Sequence, residues 1–75
     1  MVEILITNRD GNELEIFIEP VAERYLLNPA TSAILKFEQF ENYPIEIEYR
    51  ESSQISVWTH ADTEFCVDGK PIKPI

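Results

Sequence analysis

The sequence predicts an all-β fold, a small antiparallel β-sandwich or partly open barrel of about six to seven short strands. Three observations predict it. Short runs alternate apolar and polar side chains, the two-residue period of a half-buried strand. Turn-forming residues separate these runs at near-regular spacing. No internal repeat, linker or low-complexity segment interrupts the pattern, so residues 1–75 read as one small β domain.

The first run, Val2 to Thr7, places Val2, Ile4 and Ile6 on one side and Glu3, Leu5 and Thr7 on the other. Residues 8–12, with Gly11, read as a turn. Leu14 to Glu19 alternates again and ends at Pro20. These two runs are expected to form a hairpin in which Ile6 meets Leu14, Ile4 meets Ile16 and Val2 meets Ile18.

Residues 20–43 are ambiguous. Pro20 could open a helix that Asn28-Pro29 would stop, and a helical period groups Ala33, Ile34, Phe37 and Phe40 behind a Thr31 or Ser32 cap. As strands, Glu23 to Leu27 and Thr31 to Phe37 are equally acceptable, the second with Ala33, Leu35 and Phe37 on one face. The β surroundings and the two prolines favour strands. The alternative is an α+β fold with one helix within 20–41 on a β-meander.

Asn42-Tyr43-Pro44 reads as a turn. Ile45 to Arg50 is the cleanest alternation in the chain, with Ile45, Ile47 and Tyr49 expected inward. After a turn at 51–53, Gln54 to Thr59 directs Ile55 and Val57 inward. His60-Ala61-Asp62 turns the chain into Glu64 to Val67, where Phe65 and Val67 share a face. Asp68-Gly69-Lys70-Pro71 is a further turn, and a short tail follows.

Composition excludes several classes of function. A domain this short buries only about 60% of the surface of its unfolded chain, and Cys66, the sole cysteine, cannot staple it. One Cys and one His cannot supply a four-ligand Cys/His zinc site. The net charge of −8 disfavours direct contact with nucleic acid or anionic membranes, which needs lysine and arginine. No run approaches the length of a membrane span. The N-terminal residues lack a basic stretch followed by an apolar one, and one unpaired cysteine suits a reducing compartment, so the expected location is cytoplasmic.

Candidate chemistry is sparse. His60, Asp62 and Glu64 lie two apart and offer an imidazole with carboxylates, but Asp62 suits the turn on its own account. Cys66 beside His60 could suggest a thiolate pair, yet a cysteine between Phe65 and Val67 reads as a small buried hydrophobe. There is no glycine-rich phosphate loop and no serine in a nucleophile-elbow context. No catalytic, cofactor-binding or metal-binding residue is therefore assigned, and no cofactor is expected.

Charge layout is more informative. Glu3, Glu13, Glu15, Glu19, Glu46 and Glu48 fall opposite the Ile/Val rows and would form one acidic surface if the two hairpins shared a sheet. Leu5, Phe17, Ile34 and Trp58 also fall opposite those rows. They are either covered by a second layer or exposed as an interface. The candidate interface residues are Phe17, Trp58, Glu15, Glu46 and Glu48.

The expected function is a non-enzymatic, acidic protein-binding module, with a protein partner or a weak homodimer through Phe17 and Trp58. One alternative is an inhibitor or nucleic-acid mimic that occupies a basic protein. The other is a small metal-binding protein or enzyme centred on residues 60–66.

Overall fold

The computed structural model describes residues 1–39 and 43–75. Its strands are β1 (Val2–Thr7), β2 (Leu14–Glu19), β3 (Glu23–Leu27), β4 (Ser32–Phe37), β5 (Glu46–Glu51), β6 (Gln54–Trp58), β7 (Glu64–Val67) and β8 (Lys70–Pro71). They form two four-stranded sheets, ordered β1-β4-β7-β8 and β3-β2-β6-β5. The all-β sandwich reading holds, and residues 20–39 contain two strands and no helix. Phe40 of the helical grouping and Asn42 of the expected turn lie outside the described residues. The two-residue β8, expected only as a turn and tail, adds a strand by pairing with β7.

The local reasons are ordinary ones. Isoleucine, valine and aromatic residues fill the strands, where branched and flat side chains pack well on a pleated surface. Pro20, which lacks an N–H to extend the ladder, follows the end of β2.

The expected hairpin between the first two strands does not form. β1 pairs with β4, with Ile4 opposite Leu35 and Ile6 opposite Ala33, while β2 pairs with β3, with Ile16 opposite Tyr25. The apolar rows of β1 and β2 meet across the core between the sheets instead of along one ladder. Asn8 anchors the chain where it leaves β1. Its buried side chain donates to the carbonyls of Asn12 at 2.8 Å and Leu27 at 2.9 Å and accepts from the Asp10 N–H at 2.9 Å. Its backbone N–H donates to Thr31 and its carbonyl accepts from Ala30. The chain is thereby tied to the β3–β4 connection at the point where it leaves the first sheet.

One pairing is parallel: β2 runs alongside β6, with Ile16 beside Ile55 and Ile18 beside Val57. The remaining pairs are antiparallel.

The core is one cluster shared by both sheets. Ile6, Ala33, Leu35 and Phe65 come from the first sheet, and Ile16, Ile18, Tyr25, Leu27 and Val57 from the second. Tyr25 and Phe65 stack across the layers, with ring centroids 4.2 Å apart and planes 6° from parallel. Burial also pushes the Tyr25 hydroxyl above the ordinary tyrosine pKa, and the neighbouring Glu23 carboxylate adds to the effect.

β5 also departs from the inward packing expected for it. Ile47 and Tyr49 lie on the core-facing side, opposite Val57 and Ile55, yet they are 59% and 73% exposed. All six β5 residues are exposed. Because β5 ends the order of its sheet, its inner side projects past the layer that covers β2 and β6. Ile45, just before it, still packs against the core.

Candidate functional site

The register of the second sheet decides which candidate residues meet. Ile16, Ile18, Ile55 and Val57 point into the core, so their alternate neighbours point outward. Across that outer face Glu19 aligns with Trp58 and Glu46, Phe17 with Ser56 and Glu48, and Glu15 with Gln54 and Glu51. All five candidates, Glu15, Phe17, Glu46, Glu48 and Trp58, therefore share one face spanning β2, β6 and β5.

Glu3 does not join them. It lies on β1 in the other sheet, opposite Lys36, so the single acidic surface expected from two hairpins in one sheet breaks up. Leu5 and Ile34 go with the first sheet as well, in a row that continues to Cys66 and Pro71.

The five residues differ in their state. The Glu15 carboxylate accepts from the Arg24 guanidinium and from the Gln54 amide. Chiefly the Arg24 hydrogen bond, against the opposing cost of burial, holds its pKa below the usual carboxylate value. Phe17 is half-buried, and the Arg50 guanidinium carbon sits 4.5 Å above its ring centroid, a cation–π contact. Arg50 reaches it from β5 by crossing β6. Among the described residues Arg50 has no ion pair. Trp58, half-buried, donates its indole N–H to Glu48 at 3.3 Å. Glu46 and Glu48 are exposed at the edge.

Arg50 and Ser56 are among the members of this face that sequence reasoning missed. Arg50 could be placed beyond Phe17 only once the strand order was known. Ser56 lies at the centre, flanked by Phe17 and Glu48 in register. Its hydroxyl is buried and has no hydrogen-bond partner among the described residues, an arrangement that costs about 1–3 kcal/mol. A small residue between Gln54 and Trp58 was the one signal available for it.

At one end of the face the His60 ring stacks on Tyr43, centroids 4.7 Å apart, and tilts against Trp58 at 5.9 Å. His60 is thus drawn toward the second sheet. Asp62 and Glu64 instead line an open depression of about 470 Å³ with Met1, Lys36, Glu38 and Phe65. Cys66 is buried on the outer side of the first sheet, with its thiol 3.4 Å from a Glu64 oxygen. Burial first, and then Glu64, push that thiol's pKa up, toward the unreactive protonated form. Among the described residues no three His, Cys, Asp or Glu side chains gather where they could hold a metal ion. Within the 60–66 segment His60 is set apart from Asp62, Glu64 and Cys66.

Among the described residues no helix is long and apolar enough to cross a membrane. No protein-family model, curated protein or solved structure matches the chain.

Proposed function

We infer that the chain is a non-catalytic protein-binding module, acting in the cytoplasm, that takes a basic protein partner on the outer face of its second sheet. The observation that carries this reading is the assembly of Phe17, Trp58, Glu46 and Glu48 on one face, with a guanidinium already seated on Phe17. Aromatic faces flanked by carboxylates attract lysine and arginine through cation–π contact and ion pairing together. The net charge of −8 adds long-range attraction for such a partner. Nucleic-acid mimicry is less well supported, because Arg24 neutralises Glu15 and the indole of Trp58 engages Glu48. The face is mixed aromatic and acidic instead of a row of free carboxylates.

Trp58 is the only tryptophan and lies within the face, so its fluorescence reports occupancy directly. Titration with a short lysine- and arginine-rich peptide should shift that emission at low salt and progressively less at high salt, since the Debye length falls to about 3 Å at 1 M. Reversing Glu46 and Glu48 to lysine should abolish the shift. An unaltered response in the reversed variant, or no response in the wild type, would remove the reading.

A further inference from the structure

The edge of β5 has features that the outer face alone does not explain. Among the described residues β5 hydrogen-bonds to β6 on one side and ends its sheet on the other. The opposite edge of that sheet is treated differently: the Ile75 N–H donates to the Arg24 carbonyl on β3 at 2.8 Å, so the tail caps part of it. The first sheet ends on the two-residue β8 beside β7 and on β1 at its other side. β5 also carries two chemistries on its two sides. Ile47 and Tyr49 continue the apolar side of Val57 and Ile55 beyond the covering layer, while Glu46 and Glu48 continue the acidic outer face. A register irregularity falls between Tyr49 and Glu51, leaving Glu46 to Tyr49 in unbroken register with β6.

We propose that β5 is a strand-addition site whose occupant is an extended segment of a basic partner, alternating basic and apolar residues. The incoming strand completes the backbone ladder, which supplies affinity, while its alternate side chains supply specificity. Its basic residues fall on the outer side beside Glu46 and Glu48. Its apolar residues fall on the inner side beside Ile47 and Tyr49 and cover what the first sheet leaves open. Charge decides against a second copy of this chain. Pairing β5 with another β5 would bring Glu46, Glu48 and Glu51 of both copies into one outer row, between molecules that each carry −8. Like charges set opposite each other in neighbouring strands are destabilising. The acidic residues thus discourage self-pairing, as charges on edge strands commonly do, and leave the edge complementary to a cationic strand.

This proposal rests on the basic-partner reading, and the experiment separates the two. The probes are a peptide of alternating lysine and valine and a peptide of the same composition with the lysines and valines in separate blocks, both followed through Trp58 emission. The alternating peptide should bind at least tenfold more tightly. N-methylation of alternate residues removes the donors from one edge of the peptide only. Methylation on one parity should weaken binding at least tenfold, and methylation on the other parity should leave it intact. Ile47→Lys should weaken binding by a similar factor with an unchanged melting temperature, because Ile47 supports no core. Equal binding of both peptides, with no effect of methylation on either parity, would overturn strand addition and leave a basic-partner face. Failure of every cationic peptide would overturn both. A concentration-dependent dimer that Ile47→Lys dissolves would overturn the choice of occupant in favour of a second copy.

Discussion

Strands β2 and β5 look alike as sequences and behave oppositely as structure. Each is six residues long and alternates an isoleucine-bearing row with a glutamate-bearing one. In β2 the row is sealed, with Ile16 and Ile18 both 0% exposed. In β5 the corresponding row of Ile47 and Tyr49 is open to solvent. The difference is position. β2 is flanked by β3 and β6 and lies over the other sheet's apolar row, whereas β5 is the last strand and overhangs it. Alternation shows which side chains share a face. Whether anything covers that face depends on strand order, a long-range property.

Removing one isoleucine from each strand separates the two most sharply. Ile16→Ala should cost about 2–5 kcal/mol, as large-to-small changes in packed cores do. Ile47→Ala should stay within about 0.5 kcal/mol, the range of surface substitutions. Denaturant unfolding of the two variants checks both values, and equal losses would mean that β5 is covered after all.

The connection leading into β2 provides the next test. Asn8→Ala leaves the carbonyls of Leu27 and Asn12 and the N–H of Asp10 without the side-chain partner they now have. A loss of about 1–3 kcal/mol is expected for a buried polar group left unsatisfied, measured by the same unfolding curves.

The smallest effect lies on the outer face and depends on pH. The Glu15 carboxyl is held below its ordinary value in the folded protein, first by the Arg24 hydrogen bond. The folded state therefore binds that proton less readily than the unfolded chain. Its stabilising contribution is complete above the unfolded value of about 4.3 and is lost as pH falls through the lower folded value. Melting temperatures of wild type and Glu15→Gln should converge across that acidic window. A gap that stays constant there would mean that the Arg24 contact does not set the titration.

Much of the fold was legible because its signals are local. Alternation and turn residues identified the strands, and Pro20 and Pro29 argued correctly against a helix between them. The partners of those strands were not legible. β1 finds β4 and β2 finds β6 across intervening chain, and the nearest-neighbour hairpin was an equally good match to the alternation. The five candidates still share a face because outward parity in β2, β5 and β6 does not depend on which strands are joined. Glu3 was misplaced because its position did depend on that. The exposure of β5 had one sequence signal: Glu46, Glu48, Arg50 and Glu51 make four of its six residues charged, against two of six in β2. So dense a charge leaves little reason to bury either side.

Under strand addition, β5 offers an open edge until a partner strand arrives. Amide hydrogen exchange at Glu46 to Tyr49, with and without the alternating lysine–valine peptide, tests it most directly. The alternate amides pointing away from β6 should exchange rapidly in the free protein, while those of β2 are protected, and the peptide should slow them without altering β2. Protection of those β5 amides in the free protein, or bound peptide that leaves them exchanging rapidly, would contradict it.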